Sequence, residues 1–235
     1  VSTVMLGTLA AAIGAPTIGA LASRLGGWPE FTGSFVVLSG LLVVAAAVLG
    51  LLGRAPVRGE ATRGAGRPLR QILRQPAYRI AVVCGLVSYA VMSFIMTATP
   101  ISMHVHDGFS GGQTTSVISA HLLGMYLPSL ATPLLVRTLG LRAMLHLGIA
   151  AMALCVAISA FLGQAYLHYF SGLVLLGLGW NLMFVAATTL LTSTYASHER
   201  FRAQGFNDLA IFGSQATASL LAGTAMETLG WTALN

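Results

Sequence analysis

Charged side chains are scarce in this sequence, and lysine is missing altogether. Of the 235 residues, only 8% are charged and 56% are hydrophobic. Soluble domains carry roughly 25% charged residues, about three times this share. A water-soluble protein of this composition could not cover its surface with polar groups. The composition therefore excludes a soluble globular domain and indicates a membrane protein.

Cysteine and the common catalytic motifs are also nearly or wholly absent. Cys84 and Cys155 both fall in apolar segments without CxxC spacing, so we interpret them as small core residues, not a disulfide or metal pair. The motifs GxSxG, HExxH and GxxxxGK[ST] do not occur, which counts against esterase, zinc-protease and ATP-driven classes. We expect no cofactor and no secretory signal peptide.

The sequence contains seven long apolar segments. Each reaches or approaches the roughly 20 residues that cross about 30 Å of hydrocarbon as a helix. Their lengths and lack of alternation exclude β-barrel strands. We therefore predict an all-α, polytopic transmembrane helix bundle with spans at 4–22, 33–53, 80–101, 114–136, 143–163, 168–194 and 207–229.

The arginines are segregated by side of the membrane. If the seven segments alternate in direction, Arg24 alone falls in one set of loops and the other eleven fall in the opposite set. Positive charge marks the cytoplasmic side, so we predict a multi-pass protein of the inner (cytoplasmic) membrane. The Arg-rich stretch 54–79 is interpreted as a topology determinant that touches anionic lipid, not nucleic acid. Its tail, 68–78, predicts a short amphipathic helix on the membrane surface.

The first and last segments end alike, which suggests an internal repeat. Both read as Gly, small residues, Leu-Gly and then Trp, at 19–28 and 223–231. These helices are six apart and run in the same direction, which indicates a unit of six helices. We therefore predict that 1–53 ends an N-terminal half, 54–79 is a cytoplasmic linker, and 80–235 is a C-terminal half without its last span. A protein of twelve spans is implied, of which this chain covers the fifth to the eleventh.

Several stretches carry a family resemblance. The first segment keeps small residues at the positions of a glycine-rich helix-five pattern, although only one of its five glycines is retained: Ser2, Ala11, Ala15, Pro16, Gly19 and Ala20. RTLGLR at 137–142 is similar to the basic turn between cytoplasmic helix pairs. GLGWNLMFVAATTLL at 177–191 and ERFRAQGFND at 199–208 are similar to a tenth helix and its following loop.

Together these stretches resemble the major facilitator superfamily of secondary transporters over the whole chain. MTATPISM at 96–103 and HLLGMYLPSL at 121–130 resemble a bacterial subgroup with some members labelled riboflavin importers. The resemblance implies six plus six helices and secondary active transport of a small organic solute by alternating access. A proton or another ion would be coupled to it, and we expect a monomer. Gate or structural roles are implied for Pro16, Gly19, Arg137 and Arg142.

Polar side chains at mid-membrane depth are the candidate site, because lipid offers them no partner. His121 lies roughly 10 Å below the outer surface, on one face with Met125. It either lines a cavity, binding substrate or carrying a proton, or is a neutral ring bonded to a neighbouring helix. No Asp or Glu falls at mid-depth, so within these spans proton coupling points to His121.

Three more spans supply candidates for substrate binding. Tyr89, Ser93 and Met96 share a face of their helix, and Tyr89 suits a flat organic ligand or helix packing equally. Trp180 and Asn181 are central in theirs and either face a cavity or pin two helices together. Gln215 poses the same choice. Thr97 and Thr99 are expected to hydrogen-bond to their own helix backbone.

Two groups of polar residues lie beyond or at the ends of the predicted spans, and we interpret both as structural. His104, His106 and Asp107 are too few for a metal site, so we expect no metal. Glu199, Arg200, Arg202, Asn207 and Asp208 are interpreted as a cytoplasmic charge network that holds a gate. A polytopic membrane enzyme or receptor without transport remains the alternative function, but it would need a nucleophile or metal cluster that the sequence does not offer.

Overall fold

The chain is helical throughout the part that the structure describes. A computed structural model describes residues 2–22, 29, 32–51 and 66–234, and these contain helices and turns without strands. The α-helices are α1 (Ser2–Ala22), α2 (Thr32–Leu51), α3 (Leu69–Leu73), α4 (Pro76–Pro100), α5 (Gly111–Tyr126), α6 (Thr132–Phe161), α7 (Tyr166–Thr192) and α8 (Arg200–Leu234). All seven predicted spans are therefore helical where the structure describes them, except for residues 162–163 and 193–194 at the ends of two of them.

Some helices continue into tighter or wider turns. A π-helical turn, Ile101–His106, prolongs α4 past its predicted end. A 3-10 turn, Leu127–Ala131, joins α5 to α6, and another, Ser197–Glu199, precedes α8. Among the described residues, five stretches are long and apolar enough to cross a membrane, and α1 contributes the shorter apolar stretch Leu9–Gly19.

One of those five stretches contains two spans. Gly111–Phe161 has 51 residues, about 77 Å as a helix, far more than the ~30 Å core of a bilayer. Gly140 leaves helical conformation at φ 74° and ψ 160°, a region that glycine enters without steric cost. The chain reverses direction at Gly140. Helix α5 runs parallel to α7, because Ser116 bonds Tyr166 and Met125 bonds Asn181. Residues 141–161 run antiparallel to α7.

Helix α7 is the centre of the bundle. It packs against α4, α5 and α6, and α4 also packs along α8. Three side chains of α7, Leu173, Leu176 and Asn181, are among the best-buried large side chains of the described residues. Helix α1 packs against α2 on one side and against α5 and the 3-10 turn Leu127–Ala131 on the other. The contact of α1 with α5 joins the two parts that the sequence predicts to be separate halves.

The linker differs from its predicted form. The expected helix over 68–78 is interrupted, because α3 ends at Leu73 and α4 begins at Pro76. Gln75 is extended, since a residue that precedes proline is disfavoured in the α conformation. The predictions on Arg24, Trp28, Arg54, Arg58 and Arg63 lie outside the described residues.

Candidate functional site

The fourth predicted span breaks between α5 and α6. The 3-10 turn Leu127–Ala131 contains Pro128, which has no backbone N–H to donate. In a 3-10 turn each N–H bonds three residues back instead of four, so a carbonyl at the junction with an α-helix loses its helical partner. In lipid, such a carbonyl must find another donor.

Asn181 of α7 supplies that donor. Its side chain is 1% exposed, and Nδ2 donates to the Met125 carbonyl at 2.6 Å and to Ser129 Oγ at 2.5 Å. Because a carbonyl only accepts hydrogen bonds, the amide atom that faces Met125 must be the nitrogen. Oδ1 is buried without a hydrogen-bond partner in the described part of the chain. Asn181 therefore pins α7 to the break in α5.

The same break forms one wall of a cavity of about 510 Å³, a size within the ~300–1,000 Å³ usual for ligand pockets. The opposite wall is the half of α7 from its middle to its Arg-rich end. No lining side chain is charged: Tyr126, Ser129, Leu130, Thr132, Pro133, Trp180, Asn181, Phe184, Val185, Thr188 and Thr189. The cavity thus offers aromatic faces together with hydroxyl groups and one amide.

Aromatic rings meet around Trp180. The indole stacks on Phe184 with centroids 5.0 Å apart and an angle of 14°, and Tyr89 stands edge-on to it at 5.1 Å. Tyr126 approaches Trp180 from α5 at 6.1 Å. The indole Nε1 is buried, with no acceptor among the described residues. These contacts give the cavity a rigid aromatic wall, and they place Tyr89 behind the rings that line it.

His121 lies in the interface between α5 and α7. The side chain is fully buried, and Nδ1–H donates to the Leu173 carbonyl at 2.8 Å, since that carbonyl only accepts. Nε2 is buried without a partner in the described residues. His121 is absent from the walls of the cavity beside Trp180. Its contact matches the packing alternative, and its roles in substrate binding and proton coupling stay predictions.

Backbone contact between α5 and α7 holds this interface together. A Cβ atom on Gly177 would collide with the His121 carbonyl oxygen and lie 3.0 Å from the Met125 amide nitrogen. Only glycine therefore lets the two helices approach this closely at the turn that precedes Asn181.

The other predicted binding residues are dispersed. Met125 is buried and contributes its carbonyl to Asn181, and Ser93 is buried within α4. Met96 and Gln215 are half-buried and do not line the cavity beside Trp180. A second cavity, about 590 Å³ and largely apolar, lies between α4 and α8. Thr99 bonds its own helix as predicted, whereas Thr97 instead lies 3.1 Å from Ser219 of α8.

The Arg-rich end of the bundle is tied by an ion pair that the sequence did not reveal. Arg67 donates through Nε and Nη2 to the two carboxylate oxygens of Glu199, at 2.8 and 2.6 Å, and through its backbone N–H at 2.9 Å. Nη2 also donates to the Thr194 carbonyl. We call this contact the linker latch. The guanidinium, with the backbone N–H of Ala196, holds the pKa of the Glu199 carboxyl well below its usual value.

The predicted gate residues occupy other places. Arg137, Arg142, Arg200 and Asp208 are exposed; Arg200 lies over the Phe201 ring, and Asp208 accepts from Asn207. Gly19 of α1 accepts a hydrogen bond from Ser34 of α2, one turn after Pro16. The structure joins one residue of the predicted charge network, Glu199, to Arg67 of the linker. The gate role of these residues stays a prediction.

At the opposite end, a buried tyrosine ties α7 to the π-helical turn. Tyr169 Oη donates to Asp107 Oδ2 at 2.7 Å and lies 2.5 Å from Ser102 Oγ. Asp107 is thus engaged by Tyr169, and the described residues contain no group of three potential metal ligands. Cys84 and Cys155 are both free thiols; Cys155 is buried and Cys84 is half-buried.

Comparison with known proteins agrees with this architecture. Residues 3–219 match the model of the Major Facilitator Superfamily. The chain is 38% identical over 237 residues to the riboflavin transporter RfnT of Brucella anthropi, covering all of this chain and 59% of RfnT. Two uncharacterized MFS-type transporters of Bacillus subtilis are also similar. YdeG is 36% identical over 62% of this chain and 34% of its own length, and YddS 26% identical over 97% and 56%.

The chain thus spans little more than half the length of the two relatives that cover nearly all of it. No solved structure matches it. The family match covers most of the chain, and the helices repeat the predicted spans. The chain is therefore a multi-pass membrane protein that belongs to the Major Facilitator Superfamily.

Proposed function

We propose that this chain is part of a carrier that moves a small, neutral, flat organic solute across the cytoplasmic membrane. The carrier works by secondary active transport with alternating access. Riboflavin is the first candidate solute, because the relative that covers the whole chain at 38% identity is named a riboflavin transporter. The observation that carries the proposal is the cavity beside Trp180, with its aromatic wall and its lack of charged side chains.

The cavity's chemistry favours this class of solute over ions and sugars. A flat ring gains from contact with the faces of Trp180, Phe184 and Tyr126. The hydroxyl groups of Ser129, Thr132 and Thr188 can bond the polar part of such a molecule. A charged solute would find no opposite charge among the lining residues, and transferring it from water would be costly.

The proposal includes an assignment of domains. Residues 1–53 would end an N-terminal half, 54–79 would be a cytoplasmic linker, and 80–235 would form most of a C-terminal half. The contact of α1 with α5 and with the 3-10 turn Leu127–Ala131 supports a boundary between halves at this place. In carriers built from two halves, the solute site lies near the bilayer midplane between them.

Uptake by the full-length protein tests the proposal. We expect a bacterial strain that requires riboflavin to take up radiolabelled riboflavin at low external concentration when it expresses the protein, but not with an empty vector. Purified protein in proteoliposomes should show the same flux, in competition with flat neutral compounds and not with sugars, organic acids or cationic dyes. Absence of riboflavin flux in both directions would exclude riboflavin, and competition by the charged compounds would exclude the neutral class.

A further inference from the structure

The two polar atoms of the Asn181 side-chain amide differ in their hydrogen bonding. Nδ2 bonds Met125 near the end of α5 and Ser129 in the 3-10 turn, whereas Oδ1 is buried without a partner in the described residues. A buried acceptor that lacks a donor is costly, and such groups in native structures require an explanation. Asn181 also lines the cavity beside Trp180.

The two sides of the break are held differently. Before the break, α5 is fixed to α7 by the backbone contact at Gly177 and by the bond from His121 to Leu173. In the 3-10 turn and at the start of α6, Ser129, Thr132 and Pro133 form part of the cavity wall. The turn, like α5, contacts α1. The bonds from Asn181 to Met125 and Ser129 therefore join the end of the fixed helix pair to the 3-10 turn, and both α5 and this turn contact α1 of the proposed N-terminal half.

We propose that Asn181 couples solute contact to this break: Nδ2 holds Met125 and Ser129 against α7, and Oδ1 accepts a hydrogen bond from the imide N–H of a flat solute in the cavity. This inference rests on the proposed function. Oδ1 is screened from solvent in the present conformation, so the solute reaches it only after the cavity wall rearranges. Contact with the solute and movement of the break thus occur together.

The chemical requirement on the solute is specific. An amide oxygen accepts and cannot donate, so the solute must present an N–H at this position. A flat ring with an imide edge meets the requirement, since it also stacks on Trp180 and Phe184. Methylation of the imide nitrogen removes the only donor on that edge and leaves the rest of the ring intact. Riboflavin and its N3-methyl derivative therefore form a matched pair of probes.

Binding of the two probes to the full-length protein in lipid nanodiscs tests the solute contact. We expect the wild type to bind riboflavin about tenfold more tightly than the N3-methyl derivative, or better, because the derivative leaves Oδ1 without a donor. Asn181→Leu should bind both weakly and equally. Ser129→Ala is the matched control, since it removes one bond across the break but keeps Oδ1, and it should retain the preference.

A distance measurement tests the coupling. Spin labels at Leu139→Cys and Thr192→Cys, both exposed positions, report the segment after the break and the end of α7. Cys84 and Cys155 are replaced by Ala in this background. We expect saturating riboflavin to shift the distance between the labels when Asn181 is present, and to leave it unchanged in Asn181→Leu.

Each contrary result has a distinct meaning. Equal affinity of the wild type for the two probes, or a preference that survives in Asn181→Leu, overturns the solute contact while the proposed function stands. An identical distance shift with and without Asn181 overturns the coupling. If Asn181→Leu does not fold, equal affinity of the wild type for the two probes still overturns the solute contact. A wild type that binds neither probe excludes riboflavin as the solute and overturns this inference with it.

Discussion

Arg67 and Glu199 lie 132 positions apart in the chain, yet three hydrogen bonds join them at the Arg-rich end of the bundle. Arg67 precedes α3 in the linker, and Glu199 is the last residue before α8. The carboxylate is 1% exposed, and the guanidinium also caps the Thr194 carbonyl after α7. The linker latch therefore fastens the linker to the two helices that bound this end of the bundle.

The first prediction concerns the linker latch. Glu199→Gln removes the charge that Arg67 pairs with, so the segment 66–74 should open more often. Hydrogen bonds to charged groups are the stronger ones, and we expect trypsin to cleave at the exposed Arg70 and Arg74 roughly tenfold faster. The measurement is the rate of limited proteolysis of the protein in nanodiscs.

The control is Glu227→Gln, which removes an exposed carboxylate at the other end of α8. It should leave the cleavage rate unchanged. Since Arg67 lowers the pKa of the Glu199 carboxyl, the latch contributes stability above the usual carboxyl pKa and loses it only as pH falls through the lower folded value. The difference between wild type and Glu199→Gln should thus be constant from pH 5 to 8. A difference that disappears at pH 5 contradicts the latch.

The second prediction concerns the contact of α5 with α7. Gly177→Ala places a methyl group against the His121 carbonyl oxygen, and backbone cannot move aside as a flexible side chain does. We expect a destabilisation of at least about 1–3 kcal/mol, measured as a lower melting temperature and a reduced monodisperse fraction in detergent. Gly205→Ala is the control, because a Cβ there meets no atom within 4 Å. Equal melting temperatures for the two variants would contradict the close approach.

The third prediction separates hydrogen bonding from proton transfer at His121. His121→Asn keeps an N–H donor at the position of Nδ1, whereas His121→Ala removes the hydrogen bond to the Leu173 carbonyl across this interface. If the ring serves packing, the Asn variant should retain transport and its pH profile, and the Ala variant should lose most of both stability and flux. Transport by the Asn variant that no longer responds to a proton gradient, with normal stability, would instead assign His121 to proton coupling.

The fourth prediction concerns the aromatic wall. Trp180→Leu removes the ring that stacks on Phe184 in the cavity, and Trp180→Phe keeps an aromatic face. An aromatic contact is worth about 0.5–1.5 kcal/mol, so riboflavin affinity should fall roughly 3–10-fold in the Leu variant and less in the Phe variant. Phe161→Leu, at an exposed position on α6, serves as the control. Radioligand binding in nanodiscs provides the measurement, and an unchanged affinity in Trp180→Leu would remove this ring from the site.

The fifth prediction concerns orientation in the membrane. Single cysteines at Thr138 and Val105 lie at opposite ends of the bundle, and both positions are exposed. With Cys84 and Cys155 replaced, a membrane-impermeant maleimide added to spheroplasts should label Val105→Cys and not Thr138→Cys. Labelling of both should follow when the membrane is opened. The reverse pattern would place the arginines outside and contradict the cytoplasmic linker.

The spans were predictable because each depends on local composition alone. Apolar runs long enough to cross the bilayer become helices wherever they occur, as α4 and α7 show. The break at Leu127–Ala131 was less visible, although Pro128 marks it. Membrane helices often absorb a proline without changing their type, so the residue by itself did not predict a 3-10 turn.

The candidate site was predictable only in part. Trp180 and Asn181 were selected because they lie at mid-membrane depth in their predicted span. This criterion left open whether they face a cavity or pin two helices together; the structure shows that Asn181 does both. The same criterion could not select Ser129, Thr188 or Thr189, because serine and threonine are common in membrane helices. Whether such a residue faces a cavity depends on how the neighbouring helices pack. The linker latch was missed for a similar reason: Arg67 is one of seven arginines between 54 and 79, and its partner is distant in sequence.

The stacking of Trp180 on Phe184 also has an optical consequence. An isoalloxazine excited by light beside an indole takes an electron from that electron-rich neighbour, and the electron returns without emission, so the flavin emits little light. Binding of a flavin in the cavity would then lower the intensity of the flavin's own green fluorescence. Occupancy of the cavity could thus be measured without an attached dye.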